Sequence, residues 1–252
     1  MANFHSSVEI VSRGKGHSLA QRAAYICGKN IFDEYCGQMR HCYRKDVAYC
    51  NVILPNEAPI EYTNVQTLVT EIDRSEKRRD AQTARELIFA LPIELSADEQ
   101  IDFACKCIKE FWVIRGMCAI IALHNNGDGN PHIHTLLTTR TVNGKGFSSK
   151  KERSWNQHEL YRQWRKFYAD AQNLEFKQRG LEIRVSDESY FVQGVKKTPT
   201  QYLGPIAMAF AKKGILTDRA VENLANREMQ NQREQEREAI KMRRRHRSLR
   251  RF

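Results

Sequence analysis

Apolar positions recur along this chain at two periods, and the switches between them predict its elements. Residues 3–12 (NFHSSVEIVS) are rich in β-branched side chains and read as a first strand. A turn at Arg13–Gly16 follows, and Ser18 offers its hydroxyl as N-cap to a helix over Leu19–Lys29. Leu19, Ala23, Ile26 and Cys27 form that helix's apolar stripe. Asp46–Leu54 reads as a second strand, stopped by Pro55-Asn56. Residues 64–79 read as a helix and Glu86–Leu91 as a strand closed by Pro92. Ser96 and Glu99 form a capping box that opens a helix running to Val113.

Met117–His124 is apolar almost throughout, the pattern of a central strand. The turn-forming stretch NNGDGNP separates it from a further strand over His132–Arg140. Gly144–Ser154 reads as a basic, Ser-rich loop. A long amphipathic helix over Gln157–Gln178 uses Leu160, Trp164, Phe167, Tyr168 and Ala171. Strands and helices alternate without parallel crossover units, which predicts an α+β fold, a central antiparallel sheet flanked by helices. The composition shifts after the Pro199–Pro205 region. The expected division is therefore a folded domain over 1–205 and a basic, helical extension over 206–252.

Charge adds a partner class. The 252 residues carry 41 Lys and Arg against 30 Asp and Glu, a net charge of +11. An excess of this sign points to a polyanion, nucleic acid before an anionic membrane. Residues 211–252 hold 13 basic and 6 acidic residues, so +7 of the total sits there. Within the terminal run KMRRRHRSLRRF, Arg243, Arg244 and Arg245 are candidate phosphate contacts, with solvated surface as the ordinary alternative. The 11 Phe, 9 Tyr and 3 Trp exclude disorder throughout. Met117–Leu123, the longest clearly apolar run, falls far short of the ~20 residues of a spanning helix, so no membrane insertion is expected. The start MANFHSSVEIVSRGKG has no apolar signal-peptide region. Seven cysteines without a paired framework fit free thiols in a reducing cytoplasm. Cys105 and Cys107 diverge on a helix at i and i+2, so they read as ordinary thiols.

The segment His124-NNGDGNP-His132-Ile133-His134 is the most informative one. Residues i and i+2 of a strand share a face, so His132 and His134 project together, and the Gly/Asn/Asp connection can fold His124 back beside them. Three converging imidazoles can hold a divalent ion with coordination positions open, the mark of a catalytic site. A structural Zn staple or plain sheet-surface histidines are the alternatives. Phosphodiester cleavage also needs a nucleophile in line with the leaving oxygen. Tyr25 lies near the end of the first helix, but its spacing alone leaves it a core or rim aromatic. Arg22, Arg140 and Lys145 are further basic candidates for phosphate contact, Arg140 having strand capping as its alternative.

Residues 1–205 resemble the relaxase domain of the MobA/MobL plasmid-mobilisation family (the MobQ group). The likeness runs in order through SLAQRAAYICGK, RKDVAYCNVILPNEAP, AQTARELIFALPIEL, RGMCAIIALHNNGDGNPHIHTLLTTR, WNQ…LYRQWRKFYAD and PTQYLG. It implies the histidine–hydrophobe–histidine nuclease fold, an antiparallel sheet carrying the metal histidines with helices packed against it. It also implies a bacterial cytoplasmic relaxase that nicks one DNA strand at a transfer origin. Tyr25 becomes the nucleophile, forming a 5′-phosphotyrosine that is later resealed, and His124, His132 and His134 the ligands of a divalent ion. Mn or Mg is expected, although imidazoles also suit Zn. Glu86 matches the family's acidic position, either as an acceptor behind a ligand imidazole or as a base near the tyrosine hydroxyl, with pairing to an Arg as the structural alternative. Single-stranded or melted origin DNA is the implied substrate, and accessory mobilisation proteins and a type IV coupling protein are implied partners. Many relatives continue into primase or helicase modules, for which this chain has no length. The chain departs from the family pattern at Val185–Tyr190 (VSDESY) and at Tyr202, positions that bear on DNA sequence preference.

Two other classes compete. A rolling-circle replication initiator or transposase of the same superfamily usually carries its tyrosine downstream of the histidines, whereas Tyr25 precedes them. A non-enzymatic, basic nucleic-acid-binding protein with a structural metal would make no use of Tyr25.

Overall fold

The computed structural model describes residues 4–249 apart from 126, 128, 196, 197 and 202, and for a few helical residues, Arg244 and Arg245 among them, the backbone alone. The expectations placed on Tyr202, on the side chains of Arg244 and Arg245 and on residues 250–252 lie outside the described residues. In chain order the first compact unit, residues 1–187, contains β1 (Ser6–Ser12), α1 (Leu19–Cys27), β2 (Ile31–Asp33), β3 (Gln38–Arg40), β4 (Val47–Ile53), α2 (Val65–Ser75) and β5 (Gln82–Ala90). It continues with α3 (Ala97–Phe111), β6 (Ala119–His124), β7 (His132–Thr138), β8 (Val142–Asn143), β9 (Gly146–Phe147) and α4 (His158–Gln178). The second unit, residues 188–252, contains α5 (Gly204–Lys212) and α6 (Asp218–Leu249).

Five strands pair in the order β1-β5-β7-β6-β4, every pair antiparallel. Partners across an antiparallel ladder share a face, so strand alternation sorts the sheet into two sides. On one side Val11, Val52, Ala84, Ile120, Ala122 and Leu136 bury against Leu19, Ala23 and Ile26 of α1 and Leu68, Val69 and Ile72 of α2. On the other, Leu87, Phe89, Ile121, Leu123, Ile133 and Leu137 meet Phe103 and Ile108 of α3 and Trp164 and Tyr168 of α4. The α+β class with a central antiparallel sheet flanked by helices is therefore the fold found. Among the described residues no helix is long and apolar enough to cross a membrane, and the seven cysteines form no disulfide.

Local signals hold where they rest on caps. Ser18 Oγ accepts from the Gln21 amide at 3.0 Å, and both halves of the Ser96–Glu99 capping box form. Helix α1 stops at Cys27 because Gly28 takes the left-handed conformation, φ 62°. A Cβ there would also come within 3.1 Å of Val47 Cγ2, so glycine lets β4 start directly beneath the helix end. Elsewhere tertiary contacts move the boundaries. Strand β5 begins at Gln82, four residues before the expected start. Its polar stretch hides a buried strand, in which Arg85, 1% exposed, donates to Asn156 Oδ1 at 2.8 Å and the Thr138 carbonyl at 3.0 Å. Helix α2 ends at Ser75 rather than 79, since Glu76 turns inward to meet cations from other elements. The β2–β3 hairpin carries no period long enough to read. It is held instead by buried Asp33, which accepts from Ser18 at 2.6 Å and Arg40 at 2.8 Å.

Candidate functional site

Strand register brings the histidines together. His124, the last residue of β6, pairs directly with His132, the first of β7, and His134 follows on the same face. Their rings lie 4.5–5.6 Å apart between centroids, and each contributes a nitrogen to a group spanning no more than 4.8 Å. An acceptor sets the proton on every ring. His124 donates Nε2–H to the Ile26 carbonyl at 2.7 Å, His132 donates Nδ1–H to the Asn130 carbonyl at 2.8 Å, and His134 donates Nδ1–H to Glu86 Oε1 at 2.7 Å. The opposite nitrogen of each ring then bears a lone pair, the tautomer a metal requires.

The fit to a divalent ion rests on His124. Its Nδ1 is buried, and among the described residues it has no hydrogen-bond partner. A buried, unpartnered acceptor is costly, and a cation bound by all three imidazoles would satisfy it. Burial lowers the His124 imidazole to about 4; the Ile26 hydrogen bond opposes that shift, and the neighbouring His134, Arg44 and His132 add to it. At neutral pH the ring is therefore in its neutral, ligating form. Three nitrogen donors leave room for further ligands, as a reacting phosphate would need.

Glu86, 1% exposed, sits on the same face of β5 and binds two groups at once. Oε1 accepts from His134, and Oε2 lies 3.0 Å from Arg22 Nη1 of α1. Arg22 also reaches Glu9 of β1 at 3.3 Å. An arginine read in the sequence as a phosphate contact thus spans from α1 to two carboxylates of the sheet. Tyr25 follows Arg22 by three residues, one turn along the same helix face. Its ring lies 6.1 Å from both the His124 and His134 rings, edge-on, and is 41% exposed. A tyrosine a hundred residues upstream of the histidines is thereby brought to them.

Arg44, which the sequence reading held only as the first residue of the RKDVAYC segment and gave no role of its own, joins the same cluster. Its guanidinium carbon lies 4.1 Å from the centre of the Tyr25 ring. No periodicity marks it, since it stands in a polar stretch between β3 and β4.

Arg140 lies elsewhere, at the opposite end of β7 from His132. Nε pairs with buried Glu76 at 2.8 Å and Nη1 donates to the Ser148 carbonyl at 3.1 Å. Lys151 Nζ meets the second Glu76 oxygen at 2.9 Å, and the Glu76 carbonyl accepts from Arg13. These contacts support the capping role for Arg140. Arg140→Ala is expected to destabilise the fold by about 3 kcal/mol in chemical denaturation, the low end for breaking a buried pair because Lys151 remains. Oligonucleotide affinity should stay unchanged, and a loss of affinity without destabilisation would return Arg140 to the phosphate. Lys145 is exposed in the turn between β8 and β9, and Arg243 is exposed on α6.

The MobA/MobL family model matches residues 17–213, and the chain belongs to that family. It is 30% identical over 244 residues to the conjugal transfer protein TraA of Rhizobium radiobacter, covering 84% of this chain and 22% of that protein. It is 32% identical over 157 residues to a probable mobilization protein MobA of Bifidobacterium longum, covering 61% and 28%. The chain thus spans about a quarter of the length of these relatives. Among solved structures, one described under "Molecular Basis of Vancomycin Resistance Transfer in Staphylococcus aureus" superposes with a TM-score of 0.70 at 28% identity, covering 75% of this chain and all of the other.

Proposed function

We propose that this chain is a DNA-nicking relaxase of plasmid mobilisation, which cleaves one strand at a transfer origin by attack of Tyr25 and holds the cut end covalently. The observation that carries the reading is the placement of the Tyr25 ring 6.1 Å from two of three clustered histidines whose tautomers suit a metal. Family membership and relatives named for conjugal transfer and mobilization support the same reading.

His124, His132 and His134 would hold a divalent ion, Mn or Mg. Bound there, such an ion supplies Lewis-acid polarisation of the scissile phosphate. Glu86 fixes the His134 ring and strengthens it as a donor, while Arg22 balances the buried carboxylate. That pairing supports the reading of Glu86 as the acceptor behind the ligand imidazole over its reading as a base at the tyrosine hydroxyl. The Tyr25 oxygen forms a bond to phosphorus and the bond from phosphorus to the 3′ oxygen breaks. The tyrosine proton leaves toward solvent, and the departing 3′ oxygen takes up a proton. The 5′ end stays as a phosphotyrosine ester, and the reverse reaction reseals the strand because that ester conserves the bond energy. A single or melted strand is the substrate, since duplex DNA would not bring its backbone down to a site against the sheet. Accessory mobilisation proteins and a coupling protein belong to this reading as partners. It is tested by incubating the protein with a labelled origin oligonucleotide and a divalent ion. A protein–DNA adduct that survives denaturant is expected, and cleavage without any adduct would exclude the tyrosine mechanism.

The basic end supplies affinity in this scheme. Removing residues 241–252 deletes seven positive charges. The log–log salt dependence of single-strand binding should flatten by up to about 0.7 for each phosphate no longer neutralised, roughly 2–4 in all since not every charge engages. Cleavage of a saturating oligonucleotide should hold. An unchanged salt slope would leave the run as solvated surface.

A further inference from the structure

We propose that Arg44 is a positioning residue for Tyr25, its guanidinium clamping the phenol ring toward the three histidines. This rests on the reading of Tyr25 as nucleophile. The geometry has four parts. Arg44 Cζ lies over the Tyr25 ring, 4.1 Å from its centre. Asp46 grips the guanidinium as a fork, Nε to Oδ1 at 2.8 Å and Nη2 to Oδ2. The Asp46 carbonyl accepts the Asn125 amide at 2.8 Å, which ties the fork to the residue after His124. Val47, the next residue, pairs with His124 across the β4–β6 ladder. Arg44 is thus built onto the strand end that carries a histidine. It touches the tyrosine from the neighbouring helix across Gly28, where a Cβ would lie 3.5 Å from Arg44 Cβ.

Tyr25 needs such a clamp. At 41% exposure its ring has solvent on one side, and edge contacts to His124 and His134 alone would let it swing between rotamers. A nucleophile held in a near-attack geometry gains orders of magnitude over one that wanders, and small displacements cost about 10²-fold. The guanidinium suits the task because its plane stacks on the ring while its edge engages a carboxylate bidentately. A lysine offers a point charge and neither plane nor fork. The Asp46 carboxyl is held down to about 2 chiefly by Arg44, so the fork persists across the neutral range. A plain loop clamp would use the same Arg44–Asp46 pair but would have no reason to stack on Tyr25.

The test uses the full chain, a labelled origin oligonucleotide and Mn, with Tyr25→Phe as control. For Arg44→Ala and Arg44→Lys, adduct formation at saturating DNA should fall by about 10²-fold, while the oligonucleotide Kd stays within about threefold. Free guanidinium ion should restore part of the Arg44→Ala rate and none of the Tyr25→Phe rate. Asp46→Asn should show a smaller loss of the same kind, and it serves if the alanine variant fails to fold. A second readout needs neither metal nor DNA. In protein carrying 13C at tyrosine Cζ, the Tyr25 signal, identified by its loss in Tyr25→Phe, should move in Arg44→Lys. A wild-type rate in Arg44→Ala, or full rescue by Arg44→Lys with an unmoved Tyr25 signal, would overturn the proposal. An adduct in Tyr25→Phe would instead remove the nucleophile assignment, leaving the Cζ signal to decide whether Arg44 orders the ring.

Discussion

Replacing His132 or His134 with Ala is expected to abolish strand cleavage and to lower divalent-ion affinity at least tenfold. The two remaining imidazoles cannot hold a labile ion against water, and the buried His124 Nδ1 loses the cation that would satisfy it. The wild type should lose cleavage equally in chelator and regain it with Mn or Mg. Glu86→Gln should fall between. It keeps an acceptor for His134 Nδ1 but removes the charge that Arg22 balances, so metal affinity should drop by about tenfold at most, the low end for a changed partner behind a ligand. Isothermal titration of the metal into each variant separates these outcomes. Full cleavage in excess chelator, with metal loss confirmed by elemental analysis, would remove the metal from the mechanism.

Tyr25→Phe is expected to abolish both cleavage and the covalent adduct while oligonucleotide affinity changes by no more than a few-fold. The substitution removes one hydroxyl and little contact area, and the phenyl ring keeps its stack under Arg44 and its edge contacts to His124 and His134. Two tyrosines lie near in sequence. Tyr43 is 82% exposed. Tyr49 pairs with Leu123, whose side chain belongs to the core on the far side of the sheet, and its hydroxyl accepts from Cys105 of α3. Tyr49 thus faces away from the histidines. An adduct in the Phe variant, followed by its loss in a Tyr25→Phe, Tyr43→Phe double variant, would move the nucleophile to Tyr43.

The histidine cluster was legible because a strand repeats every two residues. His132 and His134 had to share a face if they lay in a strand, and a short Gly-rich connection allowed the chain to return close to His124. Caps were legible for the same local reason, as Ser18 and the Ser96–Glu99 box show. What depends on distant pairs was not. Arg140 reads as a phosphate contact or a strand cap, with nothing to choose between them until Glu76, turned in from the end of α2, is seen to pair with it and with Lys151. Arg22 reads as a phosphate contact until Glu86 and Glu9 face it across the sheet. Arg44 stood in a family-like segment but had no legible role, because both Tyr25 and Asn125, which place it, belong to other elements. Tyr25 itself carried meaning only through the family likeness, since helical spacing does not distinguish a nucleophile from a rim aromatic.

The most direct measurement is to locate the covalent bond. The denaturant-resistant adduct is digested with protease, its DNA is trimmed with nuclease, and the modified peptide is sequenced by mass spectrometry. The expected result is a nucleotide joined through its 5′ phosphate to Tyr25, with a free 3′-hydroxyl on the released strand. A nucleotide on any other residue, or a 3′-linked one, would contradict the proposed chemistry.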